Sequence, residues 1–253
     1  MKQGFRRVLT LLLAAVFVFS AWHFIRGMLE YRRGEQLYET ARSFTVEAAP
    51  ASPSASEAPR ERVIDFESLQ KQNAEIFGWI TIEDTVIDYP LLRGENNSYY
   101  LTHAYDHQPS SFGSIFMDCG NSADLSDRHT ILYGHNMKNK AMFGSLSDYK
   151  KKDFAAAHDT VKIYLPDKIL TYRIFSAYTA HVLDEVYTLR FDSDAAFQAM
   201  LDEMQTSGAL AADAAPTVTD RILTLSTCTP AGDVNHRFVV NAVLVEEETI
   251  GAK

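Results

Sequence analysis

Eight residues separate Cys228 from Arg237, and each lies at the end of a strand-like run. Arg221 to Ser226 leads through Thr227 into the cysteine, and Phe238 to Val245 follows the arginine. Both runs are rich in Val, Ile, Leu, Thr and Phe. Pro230, Gly232, Asp233 and Asn235 break the pattern between them. If the two runs pair antiparallel, the end of the first lies beside the start of the second. A thiol held next to a fixed positive charge is drawn toward thiolate, which makes Cys228 a candidate nucleophile. Most buried cysteines only pack, so the reading needs a proton-transfer partner. His135 ends another strand-like run, His129 to Tyr133, and three polar strand ends distant in sequence can meet on one rim. His129 competes with it, because six residues along a regular strand return to the same face.

Arg237 would serve as a donor to a carbonyl oxygen that gains charge, since a guanidinium carries several fixed N–H groups. Its ordinary alternative is a surface ion pair at a strand end. Arg221 is excluded from the chemistry by distance, roughly 23 Å along a regular strand of ~3.3 Å per residue. His236 reads as a loop residue bordering the site. Asn136 and Asp233 are in range on sequence grounds to orient a histidine, and neither is singled out.

At this point TLSTC, YGHNM and RFVV resemble the signatures of the sortases, and further stretches resemble their class B branch. These are Asn97-Ser98-Tyr99-Tyr100-Leu101, Phe112-Gly113-Ser114-Ile115-Phe116-Met117-Asp118, and a helical insertion before the last two strands. The resemblance runs from about Phe66 to Val245, with its motifs in order. It implies a mainly β fold, a closed antiparallel barrel of about eight strands with an N-terminal helix and a helix inserted before the last two strands. It also implies a Gram-positive surface enzyme, a cysteine transpeptidase. Such an enzyme cleaves a C-terminal sorting motif of a secreted protein after threonine and passes the acyl group to a peptidoglycan or lipid II amine. The YGHNM match favours His135 over His129. The implied set is Cys228 as nucleophile, His135 as general acid/base and Arg237 as oxyanion and substrate stabiliser. It has no obligatory third acid, so only a minor reactive fraction is expected at neutral pH. Asn97 and Leu101 match positions that contact the sorting peptide, Ser226 and Thr227 line the strand leading to the nucleophile, and Tyr187 lies in the loop expected to cover the groove. No metal or other cofactor is expected. The rival readings are a pilin-polymerising sortase, a secreted cysteine protease and a non-catalytic module that binds sorting peptides.

The chain as a whole fits that setting. Its 253 residues suit one domain with appendages, and 46% apolar residues can build a sizeable core. A formal charge of −9 offers no basic surface for nucleic acid, and two cysteines make no disulfide scaffold. Lys2, Arg6 and Arg7 precede an apolar run, Val8 to Ile25, near the ~20 residues of a spanning helix. No small-x-small cleavage site follows it, so it reads as an uncleaved anchor with the basic end in the cytoplasm. The expected division is a cytoplasmic tail 1–7, a transmembrane anchor 8–25, a juxtamembrane segment and linker 26–60, and an extracellular catalytic domain 61–253. Within 26–45 a short helix is expected. The Ala/Pro/Ser run from Glu47 to Pro59 has no apolar periodicity and reads as a tether holding the domain off the membrane.

Further on, a helix is expected from Asp65 to a stop at Gly78, with Phe66, Leu69, Ile76 and Phe77 toward the core. Strands follow near 79–82, 86–91, 113–118, 130–133, 160–164, 170–182, 221–226 and 238–245. Phe197, Met200, Leu201 and Met204 recur at helical spacing, with Ser193 as N-cap and Gly208 as stop. Ala211 to Pro216 reads as a connector. Cys119 departs from the class B pattern, and a bond to Cys228 would block the nucleophile.

Overall fold

The computed structural model describes residues 2–47, 62–210, 214–229 and 233–250. The chain opens with one long helix, α1 (Lys2–Arg42). A strand pair follows, β1 (Thr45–Glu47) and β2 (Arg62–Ile64), and then a short helix, α2 (Phe66–Gln72). The remaining strands are β3 (Ile76–Thr81), β4 (Asp88–Leu92), β5 (Ile115–Met117), β6 (His129–Gly134), β7 (Thr160–Tyr164), β8 (Lys168–His181), β9 (Ile222–Cys228) and β10 (His236–Thr249). Helix α3 (Lys152–Ala157) precedes β7, and α4 (Asp194–Gly208) lies between β8 and β9.

Strands β3 to β10 close into a barrel in the order β10-β8-β7-β3-β4-β5-β6-β9. The expected closure and strand number are met, but the barrel is mixed rather than antiparallel. The seams β4–β5 and β6–β9 are parallel. A parallel pair needs a crossover, which residues 93–114 supply for the first seam and the whole β7-to-α4 excursion for the second. The second seam has a direct consequence. Because β6 and β9 run the same way, with Gly134 opposite Thr227, their C-terminal ends finish at one rim.

Two apolar layers sandwich this part of the wall. Leu223, Leu225, Phe238 and Val240 point into the barrel, whereas Ile222, Val239 and Val243 point outward against Phe197, Met200, Leu201 and Met204 of α4. That outer cover explains why Val239 and Val243 of β10 and Ile222 of β9 are apolar on the outer face, and why Thr224 and Ser226, the polar residues of that face on β9, are buried. Burying each α4 side chain is worth about 1.5–3 kcal/mol. The Ser193 hydroxyl caps the helix by accepting from the Ala196 amide, as its sequence position predicts.

Two local expectations are corrected. Helix α2 ends at Gln72, and the extended Asn73 turns the chain so that Ile76 and Gly78 face Leu92 and Leu91 in β3. The juxtamembrane stretch is not a separate short helix but the second half of α1. That half packs on the barrel, with Tyr38 and Ala41 in the core and Gly34 so close to Phe112 that a Cβ would meet its ring at 2.6 Å. The Tyr38 hydroxyl donates to the Gly113 carbonyl at 2.5 Å. The Ala/Pro/Ser run lies outside the described residues from position 48 on, as do residues 211–213 of the connector. Since β1 and β2 pair with each other, Glu47 lies opposite Arg62, after α1 has already docked. The run therefore does not set the spacing between helix and barrel.

Candidate active site

Period-2 alternation places Thr224, Ser226 and Cys228 on the outer face of β9. Arg237 is the partner of Cys228 in the antiparallel β9–β10 ladder. His135 follows Gly134 at the end of β6, beside Thr227 across the parallel seam. The three residues that the sequence singled out thus meet on one rim. The Cys228 thiol and the His135 imidazole are hydrogen-bonded to each other. Nε2 of His135 lies 2.6 Å from the Leu101 carbonyl oxygen. A carbonyl only accepts, so Nε2 carries the hydrogen and Nδ1 is left to exchange a proton with the thiol.

The electrostatics follow from these contacts. The hydrogen bond from His135 holds the Cys228 thiol below the ordinary thiol range, burial opposes it, and the charge of Arg237 adds to the lowering. The same hydrogen bond raises His135 above an ordinary imidazole, again against burial. The two shifts narrow the gap between a free thiol and a free imidazole. Arg237 is held by its own loop, since Nη1 donates to the Val234 carbonyl at 3.1 Å and the His236 carbonyl at 2.9 Å.

The positioning of His135 depends on an unusual loop. Residues 98–114 carry the 3₁₀ turn Tyr99–Leu101 and return past Gly113, which has φ +57°. A Cβ at Gly113 would sit 2.6 Å from the Tyr100 carbonyl, 2.9 Å from the Leu101 carbonyl and 3.0 Å from the His135 ring. Only glycine fits that close approach. On the other side, Asn136 donates to the Cys228 carbonyl at 2.7 Å and holds the end of β9.

The secondary sequence candidates divide. Tyr187 reaches the outer face of β9, with its hydroxyl 3.1 Å from the Ser226 hydroxyl. Thr227 points the other way and donates to the Gly134 carbonyl at 2.8 Å, a contact that ties β9 to β6. Asn97 is exposed, yet its amide nitrogen donates to Asp118 at 2.7 Å and its oxygen accepts from the Cys119 amide at 2.8 Å. Leu101 contributes its main chain to His135, a role that no side-chain pattern announces. Asp233 pairs with His236 at 2.9 Å rather than with His135. Both cysteines are free thiols. Among the described residues, no group of three or more His, Cys, Asp or Glu side chains is placed to hold a metal ion.

Comparison with known proteins places this geometry. The family model described as "Sortase domain" matches residues 80–245. The chain belongs to the sortase family. It is 33% identical to sortase B of Listeria monocytogenes over 246 residues, covering 96% of this chain and 98% of that one. It is 36% identical to sortase B of Staphylococcus aureus over 182 residues, covering 72% and 75% respectively. Among solved structures it is similar to sortase B of B. anthracis, with a TM-score of 0.74, 32% identity, and coverage of 87% of this chain and 99% of that one. A Staphylococcus aureus sortase B–substrate complex gives a TM-score of 0.67 at 36% identity, covering 72% of this chain and 84% of that one. Sortases are cysteine transpeptidases, and the mixed eight-stranded barrel with a helix before its last two strands is the sortase B architecture.

Proposed function

We propose that this sortase is held in the membrane by the first half of α1, and that Cys228, His135 and Arg237 carry out its transpeptidation. The observation that supports this most is the meeting of three strand ends, with a hydrogen-bonded thiol and imidazole and a guanidinium in the register position opposite. In this reading the Cys228 thiolate attacks the carbonyl of a threonine in a C-terminal sorting motif. Arg237 donates to the oxygen as it gains charge. His135, protonated on Nδ1, gives its proton to the departing amine, leaving a thioester on Cys228. An amine of the peptidoglycan or of its lipid II precursor then attacks the thioester, His135 takes the proton back, and the thiolate leaves.

The membrane reading rests on α1. Its most apolar window has a mean hydropathy of 2.2 and none of it is buried. Residues 8–25 span about 27 Å at ~1.5 Å per residue, within the ~17–25 residues with which helices cross a hydrocarbon core. Lys2, Arg6 and Arg7 would stay on the cytoplasmic side, with the barrel outside at the Gram-positive surface.

Partition of the acyl-enzyme tests the reaction class. With a peptide that acylates Cys228, a millimolar amine is expected to divert nearly all product to the amide, at a rate that rises with amine concentration. Release only as the free acid, whatever the amine, would make the protein a protease. Protease shaving of intact cells tests the topology. Loss of the barrel with survival of the first turns of α1 is the expected result, and a fully protected barrel would contradict it.

A further inference from the structure

The Leu101 carbonyl that meets Nε2 of His135 belongs to a single 3₁₀ turn on a surface loop, which is not rigid by itself. Of the turn's three residues only Tyr100 is buried. Its side chain runs down to the bend between α2 and β3. There the hydroxyl accepts from Nδ2 of Asn73 at 2.9 Å and donates to the Glu75 carboxylate. Burial, and then the Glu75 hydrogen bond, raise this hydroxyl above the ordinary phenol range against the pull of Asn73, so it keeps its proton and stays a donor. Asn73 is buried too, and its other polar groups are committed. Nδ2 also donates to the Tyr105 carbonyl at 2.7 Å, and Oδ1 accepts from the Glu75 amide at 2.8 Å. The next residue, Ile76, is already paired with Leu92 in the barrel wall. At its other end Tyr100 accepts at its carbonyl from the Ser114 amide at 2.9 Å, and a Cβ at Gly94 would meet its ring at 3.1 Å. Tyr100 is therefore fixed at both ends, and Leu101 follows it directly.

We propose that Asn73, Glu75 and Tyr100 are positioning residues for His135, a buried clamp that ties the Tyr99–Leu101 turn to the barrel so that the Leu101 carbonyl stays on Nε2. The inference rests on the proposed reading of His135 as general acid/base. None of the three touches the reacting atoms, and all act through the main chain of Leu101. The carbonyl does two things for the ring. It keeps the hydrogen of the neutral imidazole on Nε2; with that hydrogen on Nδ1 instead, the ring could not take a proton from the thiol. It also raises the affinity of the ring for a second proton, and the protonated ring is the form that stabilises the Cys228 thiolate. The early end of α2 gains a purpose here. A helix continued through Asn73 would not present the extended bend from which Asn73 and Glu75 reach one hydroxyl.

The pH profile of Cys228 alkylation by iodoacetamide, on the full-length chain in detergent micelles, tests the clamp without needing a peptide. Tyr100→Phe keeps the ring and deletes the hydroxyl, and its midpoint should rise part of the way from wild type to His135→Ala. In the His135→Ala background the same change should move the midpoint no further, because the clamp acts only through the imidazole. Glu75→Leu should follow Tyr100→Phe and replaces it as the test if that variant does not fold. Glu75→Gln, which restores an oxygen for the Tyr100 hydroxyl, should recover most of the shift. Tyr149→Phe removes another buried hydroxyl, one that donates to the His158 carbonyl at 2.6 Å, and should leave the midpoint unmoved. With a peptide that acylates Cys228, Tyr100→Phe is expected to lower the maximal acylation rate about tenfold at a nearly unchanged half-saturating concentration, as a displaced proton carrier would. Wild-type midpoints in both Tyr100→Phe and Glu75→Leu, or a shift of equal size with and without His135, overturn the inference. Undiminished acylation by His135→Ala would instead remove the reading beneath it, and the alkylation midpoints would still decide whether the clamp holds the imidazole.

Discussion

His129 and His135 stand on the same strand-face parity, six residues and roughly 20 Å apart at ~3.3 Å per residue, and their surroundings give them opposite chemistry. His129 is fully buried, with Nδ1 2.8 Å from the Thr188 carbonyl and Nε2 2.8 Å from the Thr224 hydroxyl. Burial pushes its pKa down to about 4, so it is a neutral structural pin between β6, β9 and the segment after β8. His135 sits just past the edge of that cover, where one nitrogen is held by a main-chain carbonyl and the thiol partner raises its pKa. Residue type and periodicity treat the two alike. What separates them is how far the β8–β9 connection extends over β6. The chemistry of this wall begins where its outer apolar layer stops.

The largest expected effects lie at the exposed end. Cys228→Ala should abolish the acyl adduct, and His135→Ala should slow acylation by about 10²–10⁴-fold, the usual worth of a general acid/base. His129→Gln should leave the rate per folded molecule within a few-fold. Peptide turnover normalised to folded protein makes the comparison, and equal losses at the two histidines would erase the distinction drawn here.

Stability should show the reverse order. His129 has a folded-state pKa of about 4 against 6.5 for a free imidazole. Between those values the unfolded chain binds a proton that the folded chain does not, so stability falls as pH drops through that window. The loss is about 3 kcal/mol in full. Urea midpoints from pH 7 to pH 4 should trace it. In His129→Gln this portion of the pH dependence should vanish from an already weaker protein. An unchanged pH dependence in that variant would place the acid sensitivity elsewhere.

A smaller effect concerns the thiol. The alkylation rate of Cys228 should rise with pH through a midpoint below that of an ordinary thiol. His135→Ala should move the midpoint up more than Arg237→Ala, because the hydrogen bond outweighs the guanidinium charge. A midpoint insensitive to both would detach the cysteine from its two neighbours. Smallest is Tyr38→Phe, which strips the hydrogen bond from the Gly113 carbonyl and should cost about 1 kcal/mol in urea unfolding. Wild-type stability in that variant would show that α1 does not brace the loop behind His135.

How far the sequence was legible follows from the range of the signals. Cys228 and Arg237 could be paired because both sit in consecutive strands joined by a short polar loop. Helix α4 was visible in the spacing of Phe197, Met200, Leu201 and Met204. Ile76 and Phe77 were misplaced into a helix because a short apolar run reads alike in helix and strand. The parallel β6–β9 seam, which delivers His135 to Cys228, joins residues more than ninety apart and leaves no local trace. The Leu101 carbonyl and the docking of Tyr38 were equally silent, one because main-chain atoms carry no residue code, the other because residues 26–42 look like a polar helix that needs no partner. The family motifs supplied the choice of His135 over His129, which periodicity alone could not make.

The most direct test of the central claim is intact-mass spectrometry of the full-length chain in detergent, mixed with a panel of sorting-motif peptides containing threonine at the cleavage point. The full chain is required because Tyr38 and Ala41 belong to the core. An acyl adduct on the wild type and on His129→Gln, absent from Cys228→Ala and discharged by an added amine as an amide, is the predicted result. An adduct that survives in Cys228→Ala, or peptides that bind the wild type without ever acylating it, would contradict the account.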